Sequence, residues 1–164
     1  MKWNRIINDK IFQSKNSLAQ TIKKWKNKQE KIVFTNGCFD ILHLGHIDYL
    51  TKAADLGNRL VIGVNTDSSV SKIKGPNRPV IEEITRLNKL ASFAFVDAVI
   101  LFDEDTPIKL IKSIQPDILV KGGDYSLNAI VGADFVLNSG GEVKVIPFLK
   151  GHSSTNYINK IKQQ

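Results

Sequence analysis

A chain of 164 residues has the size of one ordinary domain with a single core and is too short for two independent ones. Its 42% hydrophobic and 24% charged residues exclude a disordered, collagen-like or disulfide-stapled chain, and the single cysteine, Cys38, suits a reducing compartment. No run approaches the roughly 18 apolar residues of a membrane helix, and the N-terminus MKWNRIINDK lacks the apolar core of a secretory signal, so a cytoplasmic protein with no membrane partner is expected.

The formal charge of +7 is unevenly placed. Residues 1–31 hold nine of the 23 Lys and Arg and two of the 16 Asp and Glu, which leaves fourteen of each sign in the remainder. In that basic segment Leu18, Ile22 and Trp25 recur at helical spacing with Lys23, Lys24, Lys26 and Lys28 around them, the pattern of an amphipathic helix packed on a domain. The lysines read as its solvated face. No aromatic platform or base-reading motif accompanies them, so nucleic acid is not an expected partner. Residues 1–30 are therefore set apart as an N-terminal basic helical segment, and residues 31–164 as the domain proper.

From there β-rich runs alternate with helical ones. Strands are predicted at 31–37, 59–65, 97–102, 117–122 and 142–147, with helices near 45–56, 82–94, 105–114, 127–138 and 154–162. Continuous apolar runs such as Leu60 to Val64 suit strands buried on both faces. The fold class is thus α/β: a doubly wound domain with a five-stranded parallel sheet and an extra N-terminal helix. Ligands of such sheets bind beyond the carboxyl ends of the strands, which points to the segments after Phe34, Val64, Phe102, Val120 and Ile146.

The first of these segments carries the most chemistry. It reads Thr35-Asn36-Gly37-Cys38-Phe39-Asp40-Ile41-Leu42-His43-Leu44-Gly45-His46, with a helix starting near the second histidine. Gly37 permits a sharp turn, and Gly45 lets a ligand approach backbone near a helix N-terminus, where free N–H groups favour phosphate. A single histidine at such a place is ordinarily a cap. Two histidines three residues apart, bracketing a glycine at the end of a first strand, point instead to phosphate chemistry, since imidazole donors act best where charge develops. Zinc is the alternative, but the pair lacks a third ligand: Cys38 is near in sequence, whereas His152 stands in a distant Ser/Thr loop.

The His43-Leu-Gly-His46 run after its Asn-Gly-x-Phe-Asp turn resembles the HxGH nucleotidyltransferase superfamily, the cytidylyltransferase-like enzymes. Together with GVNTD, KGPNRPV, DEDTP, PDILVKGGDY, GGEVKVI and SSTNYI, it is most similar to the adenylyltransferases that make ADP-heptose, over about residues 31–161. The resemblance implies a Rossmann-like domain that transfers AMP from ATP to D-glycero-β-D-manno-heptose 1-phosphate and releases pyrophosphate, for lipopolysaccharide or surface-glycan assembly. A glycerol-3-phosphate-type cytidylyltransferase is the alternative. No sugar-kinase part accompanies the chain, so it resembles a stand-alone form, and a homodimer is possible by the same likeness.

The resemblance also implies roles. His43 and His46 would hold the α-phosphate as the bond to pyrophosphate breaks, without acting as nucleophiles. Asn36, Gly37, Phe39 and Gly45 would lie beside the triphosphate, with Asp40 orienting the turn. Gly122 and Asp124 of Lys121-Gly122-Gly123-Asp124-Tyr125 would bind nucleotide, and so would Ser154 and Thr155, although a helix N-cap explains the serines equally well. Ile158 stands where the superfamily often has an arginine. Arg86 matches a family arginine near the triphosphate; on the residues alone it would be a surface ion-pair partner. Lys72, Lys74 and Arg78 fall in a predicted loop, with Lys74 and Arg78 the candidates for the sugar phosphate. Asp67 caps a turn or shares the site. Mg²⁺ would accompany ATP, held by triphosphate oxygens and water; no protein metal ligand is assigned.

Overall fold

The computed structural model describes residues 1–123, 125–149 and 151–162. In chain order the elements are α1 (Lys2–Asn8), β1 (Ile11–Phe12), α2 (Lys15–Asn27), β2 (Ile32–Gly37), α3 (Leu44–Ala54), β3 (Arg59–Asn65), α4 (Asp67–Lys74) and α5 (Glu83–Ala91). They continue with β4 (Ala98–Phe102), α6 (Ile108–Ile114), β5 (Ile118–Gly122), a 3₁₀ turn (Leu127–Ala129), α7 (Ala133–Asn138), β6 (Glu142–Ile146) and α8 (Ser154–Lys162). The strands form one parallel sheet of six in the order β1-β4-β3-β2-β5-β6.

Side-chain alternation explains why the strands read as unbroken apolar runs. Val33, Leu60, Ile62, Val64 and Val99 pack on one face of the sheet with Leu50 of α3 and Leu87 and Leu90 of α5. Ile32, Phe34, Val61, Ala98 and Ile100 pack on the other with Leu18 and Ile22 of α2 and Leu110 and Ile111 of α6. The central strands therefore face helix on both sides, and period two disappears from their hydropathy, whereas the edge strand β6 alternates exposed Glu142 and Lys144 with half-buried Val143 and Val145. Truncating one such side chain to alanine costs about 2–5 kcal/mol.

Four details depart from the sequence reading. The sheet has six strands where five were expected, and the basic segment holds two helices and a strand where a single helix was expected. Strand β1 is only two residues long, too short for any alternation to show; Ile11 and Phe12 pair with Val99 and Ile100, and Val99 N–H donates to the Lys10 carbonyl. Lys72 and Lys74 are helical rather than in a loop, whereas Arg78 does lie in one. Only Ser69 and Val70 of α4 are buried, so no apolar stripe marked it; Thr66, whose side chain accepts from Ser69 N–H, caps it. The fourth predicted helix is split, with Gly132 at φ +89° ahead of α7.

Arg59 ties the N-terminal segment to the sheet. Its guanidinium donates to both carboxylate oxygens of Glu30 at 2.7 and 2.8 Å and to Asp97 at 2.9 Å, and lies 5.2 Å over the Trp25 ring.

Strand order reverses at the centre. From β2 the chain moves outward through β3 and β4, then returns to lay β5 on the other side of β2. A crevice opens at the carboxyl ends of β2 and β5, between Gly37 and Gly122, where doubly wound sheets bind ligands.

Candidate active site

Strand β2 is buried from Ile32 through Thr35 and opens at Asn36 and Gly37. The chain then turns sharply at Phe39, whose φ of +48° is the left-handed conformation, and the Phe39 side chain is buried against the strand end. A Cβ on Gly37 would sit 3.1 Å from the Phe39 ring, which accounts for glycine there.

Asp40 is next and is almost wholly buried. Its carboxylate accepts from the Val80 and Ile81 N–H groups and from Arg78 Nε, at 2.6–3.0 Å. Burial pushes its pKa up, but the Ile81 and Val80 N–H groups and the Arg78 charge outweigh burial and hold it below the ordinary carboxylate value. Asp40 thus pins the Arg78 loop to the strand-end turn, the orienting role expected of it.

His43 occupies the N-cap position of α3 with extended backbone and no side-chain cap bond, and His46 lies in the first turn. Residues three apart share a helix face, and the two imidazoles stack with centroids 3.9 Å apart and planes at 30°. Phe39 packs against His46 at 5.4 Å. The Nδ1 atoms of both histidines are buried with no hydrogen-bond partner among the described residues, which is what side chains reserved for a ligand look like. Burial, helped by the nearby charges of His43 and Lys74, takes the pKa of His46 down to about 4; burial and His152 lower that of His43. Both rings are neutral in the free protein at neutral pH.

Beside them lies a cavity of about 380 Å³. It is lined by the β2 end from Asn36 to Asp40, by His46 and Tyr49 of α3, by Lys74, by Lys121 and Gly122 at the end of β5, and by Ser154 at the start of α8. Tyr49 Oη is hydrogen-bonded to Thr35 Oγ1 at 2.5 Å and donates to the Val120 carbonyl, which locks α3 across the ends of β2 and β5. Lys74 and Lys121 bring positive charge to this wall, beside the Asp105 carboxylate and the Asp40 carboxylate that Arg78 neutralises. Burial lowers the pKa of Lys121, whose ammonium lies 5.9 Å from the Tyr125 ring centroid.

The predicted residues divide into three groups. Asn36, Gly37, Phe39, His46, Lys74, Gly122 and Ser154 line the cavity, with His43 and Gly45 directly behind His46. Arg78, Thr155 and Arg86 do not line it: Arg78 is tied to Asp40, Thr155 is exposed on α8, and Arg86 lies behind the wall. Asp124 falls outside the described residues.

Arg86 corrects the expectation of a surface ion pair, since its side chain is fully buried. It donates to the carbonyls of Ile81, Cys38 and Asn65 at 2.9, 2.6 and 2.8 Å and to the Asp67 carboxylate at 2.7 Å. One guanidinium therefore braces the exits of β2 and β3. Asp67 serves as its partner.

Sequence reading assigned no role to Tyr49, Asn65, Phe102, Asp105, Tyr125 and Phe148, all of which line the cavity. Asn65 and Phe102 end β3 and β4, a signal that was available. His152 was set aside as distant, yet its ring lies 6.5 Å from that of His43, and its Nδ1 is 3.0 Å from Tyr157 Oη. Nothing local in the sequence announces that contact. Among the described residues no group of three His, Cys, Asp or Glu side chains could hold a metal ion.

A family model described as cytidylyltransferase-like matches residues 34–159. The chain belongs to the cytidylyltransferase-like family. It is 46% identical over 165 residues to the bifunctional protein HldE of Magnetococcus marinus, covering 97% of this chain and 34% of that one. It is 52% identical over 144 residues to the bifunctional protein HldE of Citrifermentans bemidjiense, covering 88% and 30%. The chain thus spans about a third of the length of these curated relatives. A crystal structure of the lipopolysaccharide core biosynthesis protein from Thermoplasma volcanium superposes with a TM-score of 0.59 at 32% identity, covering 75% of this chain and 99% of that one. No helix among the described residues is long and apolar enough to cross a membrane.

Proposed function

We propose that this cytidylyltransferase-like domain transfers AMP from ATP to D-glycero-β-D-manno-heptose 1-phosphate, giving ADP-heptose and pyrophosphate. The observation that carries the reading is the stacked His43–His46 pair at the start of α3, its Nδ1 atoms unpartnered among the described residues, beside a cavity bearing Lys74 and Lys121. The choice of ATP and a heptose phosphate over CTP and glycerol 3-phosphate rests on the RPV and KGGDY segments, and is supported by relatives named HldE and by a structural neighbour named for lipopolysaccharide core biosynthesis.

The chemistry needs little covalent help from the protein. A phosphate oxygen of the acceptor attacks the α-phosphorus in line, the new P–O bond forms as the bond to the pyrophosphate oxygen breaks, and that oxygen leaves with the electron pair. The negative charge of the bound triphosphate favours the protonated imidazoles of His43 and His46, and in that form both donate hydrogen bonds to the α-phosphoryl oxygens, where charge builds. Asn36, Gly37, Phe39, Gly45, Gly122, Asp124, Ser154 and Thr155 hold the nucleotide, with Arg86 acting from behind by fixing the Cys38 and Asn65 carbonyls. Lys74, on the cavity wall, receives the sugar phosphate, and Arg78, tied to Asp40 and off that wall, fixes the loop after α4.

Mg²⁺ bound to the triphosphate would neutralise its charge and polarise the phosphoryl oxygens. Asp40 is spent on Arg78 and two N–H groups, so the metal is assigned to the triphosphate oxygens and water.

The test is pyrophosphate release with Mg²⁺ from four mixtures, ATP or CTP with the heptose 1-phosphate or with glycerol 3-phosphate. Release confined to ATP with the heptose phosphate is expected. Turnover with CTP and glycerol 3-phosphate alone would replace the substrate assignment and keep the histidine roles. Lys74→Ala is expected to raise KM for the acceptor about tenfold or more while moving KM for ATP little.

A further inference from the structure

The imidazole of His43 lacks the restraints that usually hold a working histidine. It makes no cap bond, its Nδ1 has no partner among the described residues, and its neighbour His46 touches it only through ring contact. Ordinarily a second group bonded to one ring nitrogen fixes the plane of the other. Here a different device is present. The Tyr157 ring lies 5.6 Å from that of His43, with the planes only 14° apart, an offset-stacked arrangement. Tyr157 is itself held at its hydroxyl by His152 Nδ1, 3.0 Å away, and at its backbone by donation to the Ser153 carbonyl in the first turn of α8.

The start of α8 is in turn fastened to the approach to α3, because Ser154 Oγ donates to the Ile41 carbonyl at 3.3 Å. Gly45 makes the close approach possible. A Cβ there would lie 3.1 Å from the His43 ring and 3.2 Å from His152 Cβ, tighter than neighbouring side chains tolerate without moving. Phe39, His46, His43 and Tyr157 therefore form a chain of ring contacts from the left-handed turn after β2 to α8, closed at its far end by His152.

We propose that Tyr157, held by His152, is a positioning residue for His43: it fixes the plane of the imidazole so that the ring meets the α-phosphoryl oxygens without reorganising. This rests on the nucleotidyl-transfer reading above. Interactions that fix a catalytic donor act on the transition state, so their loss lowers kcat more than it raises KM. Misplacing a catalytic group by about 1 Å can cost on the order of 100-fold.

The experiment pairs kinetics with an observation that needs no turnover. In the full chain, Tyr157→Ala is expected to lower kcat for pyrophosphate release about 10–100-fold with KM for ATP changed less than about threefold, and Tyr157→Phe, which keeps the ring, to recover kcat to within about threefold of the unaltered protein. His152→Ala, which removes the ring contacts to His43 and Tyr157 as well as the hydroxyl's partner, should fall between them. In parallel, the Cε1–H signal of His43, assigned by its loss in His43→Gln, is followed by NMR through a pH titration in the same proteins. The groups facing that ring are His46, His152 and Tyr157, with Lys74 next to His46. Removing the Tyr157 ring should abolish its ring-current shift and move the titration of His43 upward as solvent enters; Tyr157→Phe should do neither. Unchanged kcat in Tyr157→Ala, or a loss not recovered by Tyr157→Phe, overturns the proposal. If the unaltered protein releases no pyrophosphate from any mixture, the functional reading fails separately, and a His43 signal indifferent to Tyr157→Ala still overturns the positioning contact.

Discussion

Arg78 donates from Nε to Oδ2 of Asp40 across 2.6 Å and so joins the loop after α4 to the turn that leads into α3. The carboxylate is buried, and the same group takes the Val80 and Ile81 N–H donors. Asp40→Asn leaves the Arg78 charge without its counter-ion and should destabilise the fold by about 3–5 kcal/mol, read as a lower urea midpoint. The sign with pH follows from the lowered pKa of Asp40. Its contribution is full above the ordinary carboxylate pKa and is lost as pH falls through the native one, so the variant should also show a shallower acid limb. An unchanged midpoint and limb would make the contact dispensable.

Replacing either stacked histidine should separate chemistry from folding. His43→Ala and His46→Ala are each expected to lower pyrophosphate release about 10²–10³-fold, the usual effect of losing one transition-state donor, while melting stays within a few degrees. Full activity in either variant removes that residue from the mechanism.

His46 also predicts an acid sensitivity of the fold. Burial first, then the charges of His43 and Lys74, lower its pKa from 6.5 to about 4, so between those values the unfolded chain binds the proton more readily than the native one. Stability therefore falls as pH drops through that window, by up to about 3 kcal/mol from this group. In His46→Gln the slope of unfolding free energy between pH 7 and 4 should flatten by about that amount. An identical slope in the two proteins contradicts the assignment.

Arg86 should prove a structural residue with a catalytic consequence. Arg86→Met keeps the volume but leaves the Cys38 and Asn65 carbonyls without this donor and the Asp67 carboxylate without its cation, a loss of about 3–5 kcal/mol by denaturant unfolding. Arg86→Lys should recover only part of it, because an ammonium cannot reach four acceptors spread around a planar fork. Activity measured well below the melting temperature should fall in both, since the same carbonyls define the exits of β2 and β3.

Much of this was legible in one dimension. Strands β2 to β5 were readable because both of their faces are covered, which writes the core into the sequence as continuous apolar runs, and β6 because Val143 and Val145 alternate with exposed Glu142 and Lys144. The site was readable where the chain itself brings residues together: Asn36, Gly37, Phe39, His43 and His46 follow one another around a single strand end. Strand β1 and helix α4 were not, because two residues make no pattern and a helix held by its cap and few buried side chains has no stripe.

Sequence by itself determined the parallel α/β architecture, the end of the sheet where the candidate site lies and the nearness of His43 to His46, because these depend on local periodicity, turn residues and near neighbours. The tertiary structure decided what depends on distant segments meeting. It buried Arg86 behind the strand exits, spent Asp40 on Arg78, and brought Tyr157 of the last helix and His152 of the loop before it onto His43. A residue's burial and partners are set by packing across the whole chain, and no window of sequence contains that information.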